Sequence, residues 1–361
     1  MPSLLDDLST PAVLIDRARL EANLRAMQEL CTARGTALWP HIKTHKMVPI
    51  LRRQLELGAA GATCAKVGEA EAMLPSGVRR IFIAHSLVQK NLAPRLQALS
   101  AQLDELILAV TSEAHAAALE ELLEESNLTL PVLLAVDTGL GREGVRNNEA
   151  ARATAERIRR SPRMLLAGLY THEGHAYSSN PAELDALADR VYATLTERAA
   201  AVGGEPPLWP GCSVTATRLA GRAGVQAVRP GSYVFGDLSL VETTKVMPRD
   251  RFAATVLATV LDRPEPGLAL IDAGSKVLSG DRTADGLYAR DAAGAKWEVR
   301  RVSEEHGFVT GEDADTLKIG QRVSLLPAHF CPVINLASRV QVIDDGRVVE
   351  TWPVDARGRS D

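Results

Sequence analysis

The chain has 361 residues, 46% of them hydrophobic and 24% charged, which is enough apolar material for one large α/β barrel or for two domains. Its net charge is -4 with both signs interspersed, so no basic nucleic-acid-binding face is expected and small molecules are the expected partners. No stretch approaches roughly 18 uncharged apolar residues, and the opening MPSLLDDLST lacks the order of a signal peptide, so no membrane association is expected and the cytoplasm is the expected location.

In chain order, PAVLID (11–16) reads as an extended segment and RARLEANLRAMQELCTAR (17–34) as a helix. From about residue 36 to 235, eight β-rich runs alternate with helical patterns: ALWPHI, GATCA, RIFIAH, ELILAV, PVLLAVD, LLAGLYTH, PLWPGC and AVRPGSYVF. Between them, segments such as HAAALEELLEES and EAARATAERIRR repeat apolar residues at three and four and charge the opposite face. The runs are apolar on both faces, as parallel strands covered by helices are. This pattern predicts an α/β protein with an N-terminal (β/α)8 TIM-like barrel over residues 16–235.

Past Phe235 the period changes to two, in TVLATVLDR, LALIDAG, LYARDAAGAKWEVRRV, QRVSLLPA and SRVQVIDDGRVVETWPV. That texture predicts a C-terminal antiparallel β domain made of residues 236–361 with 1–15. Asp345-Gly346 and Ala293-Gly294-Ala295 read as hairpin turns. Cys31, Cys64, Cys212 and Cys331 form no CxxC pair, which argues against a disulfide scaffold or a structural zinc knot.

Chemistry gathers at the strand ends. WPHIKTHK (39–46) closes the first run with Lys43, where a barrel of this kind keeps its catalytic groups. An amine at the rim of an apolar pocket is partly desolvated, and its neutral form condenses with aldehydes. The ordinary alternative is a solvated loop lysine, as it is for Lys46. VDTGLGREGV (136–145) sets Arg142 in a turn with three glycines, either to hold the arginine over a ring or carboxylate or simply to join strand and helix. WPGCSVTAT carries Gly211, Cys212, Ser213 and Thr215 before a short helix, and RPGSYVFGD carries Gly231, Ser232 and Tyr233. Two loops of this kind after the seventh and eighth strands match the usual phosphate site of the barrel. Amine, arginine and phosphate cup together suggest pyridoxal 5'-phosphate.

The ordered set TPAVLID, PHIKTHK, VDTGLGREGV, THEGHAY, GCSVT, RPGSYVFGD, IDAGSK, EEHG and PAHFC resembles the D-threonine aldolase and D-serine dehydratase family, with its alanine-racemase-like fold, from Thr10 to about Trp352. The resemblance implies covalent attachment of the cofactor to Lys43 and a homodimer with its site near the subunit boundary. It also implies phosphate contacts from Gly211, Cys212, Ser213, Gly231, Ser232 and Tyr233, with Arg142 and Tyr170 near the pyridine ring. Cys212 and Val214 stand where many relatives carry small hydroxyl residues or proline.

PAHFCPVINL places His329 and Cys331 two apart, and in an extended segment both would project to one side and could reach one ion. A packed cysteine beside a surface histidine is the ordinary alternative, but the family resemblance implies a divalent cation here. The thiolate favours zinc and is tolerable for manganese. His172 and His175 are candidate proton carriers, as is His306, while His41 is read as pocket wall and His45 as structure.

The implied activity is that of a lyase on 3-hydroxy-D-amino acids, cleaving them to glycine and an aldehyde. The His-x-Cys pair resembles the zinc site of the dehydratase branch, so Cys331 favours the alternative, dehydration of D-serine or 3-hydroxy-D-aspartate to a 2-oxo acid and ammonia, whereas PVINL and GRVVETWPVDARGR resemble aldolase-type relatives. An amino-acid racemase is disfavoured by AHFC, and a non-catalytic pyridoxal-phosphate carrier is disfavoured by the β domain.

Overall fold

The computed structural model describes residues 3–4 and 7–361, which fall into two compact units. The chain opens with β1 (Ser3–Leu4) and β2 (Ala12–Asp16), followed by α1 (Arg17–Ala33). Asp16 Oδ1 accepts the Arg19 amide at 2.9 Å, satisfying one of the amide donors that a helix leaves bare at its start.

One unit, Ala26–Lys43 with Val48–Gly231 and Arg359–Asp361, is the barrel. Each predicted run contributes a strand: β3 (Ala37–Leu38), β4 (Ala62–Cys64), β5 (Arg80–Ile83), β6 (Glu105–Val110), β7 (Leu130–Ala135), β8 (Met164–Tyr170), β9 (Leu208–Trp209) and β10 (Ala227–Val228). Strands β4 to β9 pair in sequence order, and β10 pairs with β3, all parallel. Single parallel bridges, His41 to Thr63 and Leu208 to Val225, close the ring. One helix lies in each crossover: α2 (Val48–Leu57), α3 (Val67–Met73), α4 (Ala93–Ser100), α5 (Glu113–Glu125), α6 (Asn148–Arg160), α7 (Leu184–Val202) and the one-turn α8 (Ala216–Leu219).

Three strands are shorter than their apolar runs suggest. Pro40, Pro210 and Pro230 follow β3, β9 and β10 within two residues, and a proline has no N–H to give to the ladder. The barrel interior is packed with Trp39, Phe82, Ile107, Leu133, Tyr170 and Trp209. The Trp39 and Trp209 rings meet at 4.8 Å between centroids, and Phe82 stands edge-on to Tyr170 at 5.1 Å.

The other unit takes the chain up to Arg25, Thr44–Met47 and Ser232–Gly358. Its further elements are β11 (Ala254–Glu265), β12 (Leu268–Ile271), α9 (Ser275–Leu278), β13 (Ala289–Asp291), β14 (Trp297–Val302), β15 (Gly307–Gly311), β16 (Arg322–Pro327), α10 (Phe330–Leu336), β17 (Arg339–Asp344) and β18 (Arg347–Pro353). Strands β11, β12, β15, β14, β13 and β16 follow one another, and β16 pairs back onto β11 to close a six-stranded antiparallel barrel. Both expected turns are hairpins, and Asp345 and Gly346 have φ of 46° and 71°, the left-handed pair that a type I′ turn requires. One pairing departs from the antiparallel expectation. Strand β17 runs parallel to β2, because β2 comes from the N-terminal segment and no hairpin fixes its direction. Among the described residues no helix is long and apolar enough to cross a membrane.

Candidate active site

The carboxyl ends of β3, β4, β5, β7, β8 and β10 surround a cavity of about 220 Å³ lined by His41, Lys43, His85, Arg142, Tyr170 and Arg229, together with Ala65, Ala84, Glu143 and His172. Lys43 does not extend a strand. After the bridge at His41 the chain tightens into the 3-10 turn Ile42–Thr44, and the Lys43 amide points at His41 Nδ1 at 3.4 Å. The amine is thus carried on a short turn whose flanks are buried, with His41 in the wall.

Arg142 reaches the cavity from its exposed side and bonds Glu143 Oε1 at 3.0 Å. Its turn is organised by Asp137, whose Oδ1 accepts the amides of Gly139 and Gly141 and whose Oδ2 accepts Arg146. Burial pushes the Asp137 carboxyl up, but these amides and the arginine outweigh it and hold it below the usual range. Gly139, Gly141 and Gly144 all have positive φ, which a side chain would resist.

Tyr170 is wholly buried, its hydroxyl lacks a hydrogen-bond partner, and burial pushes its pKa up. Arg229 fills the space behind it. The guanidinium lies 5.0 Å from the Tyr170 ring centroid and 5.3 Å from that of Phe82, and it donates to the carbonyls of Trp209 and Thr171. Burial pulls its pKa down to about 10, so it remains a cation at neutral pH.

His172 donates from Nδ1 to the Gly211 carbonyl at 2.6 Å, leaving Nε2 with the lone pair. Burial, and then the Lys43 charge, push its pKa down to about 3. At neutral pH the ring is therefore neutral, with its single proton on Nδ1. The next residue, Glu173, accepts the Gly211 amide at 3.2 Å. Consecutive side chains thus hold the C=O and the N–H of one residue, on the two peptide units that flank its Cα. Burial pushes the Glu173 carboxyl up to about 7, against the Arg229 charge and the Gly211 amide.

Gly211, Cys212 and Ser213 follow β9 as an irregular loop, and Ser213 Oγ accepts the Gly231 amide at 3.1 Å, which joins the two candidate phosphate loops. A Cβ on Gly211 would collide with the Arg229 guanidinium. Cys212 is buried and its thiol is pushed up to about 12, so it is an inert packing group. Ser232 and Tyr233 continue from Gly231 as a buried 3-10 turn, Ser232–Val234.

Not every singled-out histidine joins this cavity. His175 lies on the 3-10 turn Gly174–Ser178, beside Gly139, and burial lowers its pKa against the opposing Asp137 charge. His306 is exposed in the turn between β14 and β15. His45 is fully buried and accepts the Met47 amide through Nδ1, as a structural residue does.

His329 and Cys331 lie in the β unit, but not as an extended pair. His329 is the extended residue that caps α10, and Cys331 already belongs to the helix. The helix starts at once because β16 ends at Pro327 and Phe330 buries its ring against Phe235. His329 Nδ1 bonds Asp281 Oδ2 at 2.8 Å, and Cys331 Sγ lies 3.3 Å from Thr44 Oγ1. Burial lowers the His329 pKa, but the Cys331 sulfur and the Asp281 carboxylate prevail and raise it. Among the described residues no third His, Cys, Asp or Glu completes a cluster around this pair.

Arg229, Glu173, His85 and Asp281 escaped the sequence reading. Arg229 stands at the head of RPGSYVFGD, and an arginine between an apolar strand and a proline is the signal that marks it. Glu173 was overshadowed by its histidine neighbours in THEGHAY. Asp281 is 48 residues from His329, and no local spacing announces it.

The alanine racemase N-terminal domain matches residues 15–239, and a putative serine dehydratase domain matches 253–343. The chain is similar to a D-threonine aldolase of Arthrobacter sp. (30% identical, covering 98% of this chain and 94% of that one) and to a D-threo-3-hydroxyaspartate dehydratase of Delftia sp. (32%, covering 98% of each). Among solved structures, D-threonine aldolase from Filomicrobium marinum superposes with a TM-score of 0.90 at 29% identity, over 100% of this chain and 99% of that one. Matched end to end in sequence and in fold, the chain belongs to the D-threonine aldolase and D-serine dehydratase family, with an alanine-racemase-like architecture.

Proposed function

We propose that the protein is a pyridoxal-phosphate- and divalent-metal-dependent lyase that cleaves 3-hydroxy-D-amino acids between Cα and Cβ, giving glycine and an aldehyde. The observation that carries this reading is Lys43 facing a cavity whose other walls are Tyr170, His172, Arg142 and Arg229. The residues present suit the cofactor. The cavity offers an amine for its aldehyde, an unpartnered buried hydroxyl on Tyr170 and a fixed cation on Arg229, while Gly211–Ser213 and Gly231 form an adjoining loop pair free of bulky side chains.

They suit a metal as well. A nitrogen and a sulfur ligand two residues apart form a donor set for zinc, with manganese as the second candidate, and oxygens of water or substrate complete the sphere. When bound, the cofactor withdraws electrons from the substrate Cα and the ion polarises the β-hydroxyl oxygen.

The chain's own residues do the rest. The Lys43 amine anchors the cofactor and, once released, is a base within the cavity. His172 keeps its proton on Nδ1 against the Gly211 carbonyl, so its Nε2 offers a lone pair to a hydrogen-bond donor in the cavity. Arg142, at the outer wall, is the carboxylate-binding group. Arg229 supplies a fixed positive charge beneath the aromatic floor.

A second reading rests on Cys331. A His-x-Cys pair and a dehydratase among the relatives favour loss of the α-proton and the β-hydroxyl as water, leaving an enamine whose imine form water hydrolyses to a 2-oxo acid and ammonia. The deciding experiment incubates the protein, pyridoxal phosphate and zinc or manganese with D-threonine and, separately, with D-threo-3-hydroxyaspartate. Glycine with acetaldehyde or glyoxylate marks the aldolase, a 2-oxo acid with ammonia marks the dehydratase, and neither product overturns both readings. A homodimer is part of the same proposal, tested by sedimentation velocity.

A further inference from the structure

We infer that Asp281 is the positioning residue for His329: by accepting the Nδ1 proton it fixes the tautomer and the plane of the imidazole, so that Nε2 alone is offered to an ion. This inference rests on the reading that His329 and Cys331 hold a divalent cation.

The geometry is specific. His329 caps α10 without bonding any backbone amide of that helix, so its side chain is free of the usual capping duty. Its Nδ1 meets Asp281 Oδ2 at 2.8 Å, and a carboxylate only accepts, so the shared proton belongs to Nδ1. With Nδ1 engaged by Asp281, only Nε2 can turn to a metal, and it gives up its proton as the ion binds. A ligating histidine needs such an anchor on its far nitrogen, because an untethered ring samples two tautomers and many orientations.

Asp281 is itself held in place. It follows α9 through Ser279, which adopts φ of 69°, an uncommon state for a residue with a side chain. Ser279 Oγ accepts the Asp281 amide at 3.1 Å, so a strained serine fixes the backbone that presents the carboxylate. The other ligand has a matching support: Thr44 Oγ1 lies 3.3 Å from Cys331 Sγ, placed to donate to the sulfur once an ion holds it as a thiolate. Thr44 follows Lys43 directly in the chain. The Asp281 side chain is 53% exposed, so a structural contribution to the core is small and positioning can be measured apart from folding.

The test measures zinc affinity of the full-length protein by competition with a chromophoric chelator, with the visible spectrum of the cobalt-substituted protein as a second readout. Asp281→Ala is expected to weaken zinc binding about 10- to 100-fold and to alter the cobalt ligand-field bands, while the melting temperature of the metal-free protein stays unchanged. Asp281→Asn keeps an acceptor and is expected between wild type and alanine; equal weakness at unchanged melting temperature assigns the effect to the charge and also supports the inference. Affinity within twofold of wild type for Asp281→Ala overturns it, as does equal weakness of both variants with a lowered melting temperature. His329→Ala and Cys331→Ala separate the two levels. If wild type binds no zinc, or both ligand variants bind it as wild type does, the metal reading itself fails.

Discussion

The cavity at the barrel mouth and the His329–Cys331 corner of the β unit are built at opposite densities. The cavity draws charged and aromatic groups from many strand ends, with His41, Tyr170 and Arg229 buried at its floor and Arg142 exposed at its rim, and burial shifts the titration of His172, Tyr170, Arg229 and the adjacent Glu173 together. The corner has a histidine and a cysteine, each with one polar side chain against it, and one of those two is the exposed Asp281 carboxylate. The contrast teaches which part each can play. Dense burial fixes protonation states and suits a covalently held cofactor, whereas a sparse, partly exposed donor pair suits an ion that exchanges and leaves coordination positions open.

The sharpest way to break the contrast is to remove its anchor. Lys43→Ala should abolish the visible absorbance of bound cofactor and cut kcat by ~10³-fold or more, the scale of a lost catalytic base; turnover near wild type would remove Lys43 from the chemistry. Cys331→Ala should keep that absorbance while losing ~10²-fold in metal-dependent turnover, a fall that excess zinc or manganese restores in part. Equal, chelator-resistant turnover in variant and wild type would detach the corner from the reaction.

Glu173→Gln probes burial alone. The Glu173 carboxyl titrates near 7 in the fold against an ordinary value of 4.5, so the folded chain binds this proton more tightly than the unfolded one. Its stabilising contribution is full below pH 4.5 and is lost as pH rises through 7. Glutamine should erase this slope, making the variant more stable than wild type above pH 7 by about 3 kcal/mol relative to their difference at pH 4.5. Urea titrations at pH 4.5, 6 and 8 measure it, and parallel profiles would show that the carboxyl is not shifted. The smallest effect is expected from Gly211→Ala, which drives a methyl into Arg229 at a cost of ~1–3 kcal/mol. Weaker cofactor binding with little change elsewhere is the expected signature, and an unchanged dissociation constant would argue against the cup.

Much of this was legible in the chain because long-lived patterns carry it. Apolar runs such as ELILAV and PVLLAVD became strands β6 and β7, and alternation past Phe235 became the second barrel. Strand ends were less legible, since Pro40, Pro210 and Pro230 cut pairing short inside apolar stretches that propensity alone extends. The state of His172 was hidden as well, because a histidine's proton depends on what encloses it: here a carbonyl 39 residues away, the neighbouring Lys43 charge and the loss of water. The His329–Cys331 spacing was readable while its geometry was not. Whether a dipeptide step is extended or enters a helix depended on Phe330 finding Phe235.

The eight-stranded ring is uneven in wall height. Strands β9, β10 and β3 are two residues long, whereas β8 has seven, and two single bridges close the seams around the short strands. Amides along this low parapet are expected to open to solvent by local breathing, without global unfolding. On the proposed function, a molecule fastened at Lys43 and cupped by the loops after β9 and β10 would act there as a rivet. Its binding should slow hydrogen exchange on the low side more than along β6 to β8 and raise the melting temperature, by stitching shut the part of the ring that the backbone leaves loosely sewn.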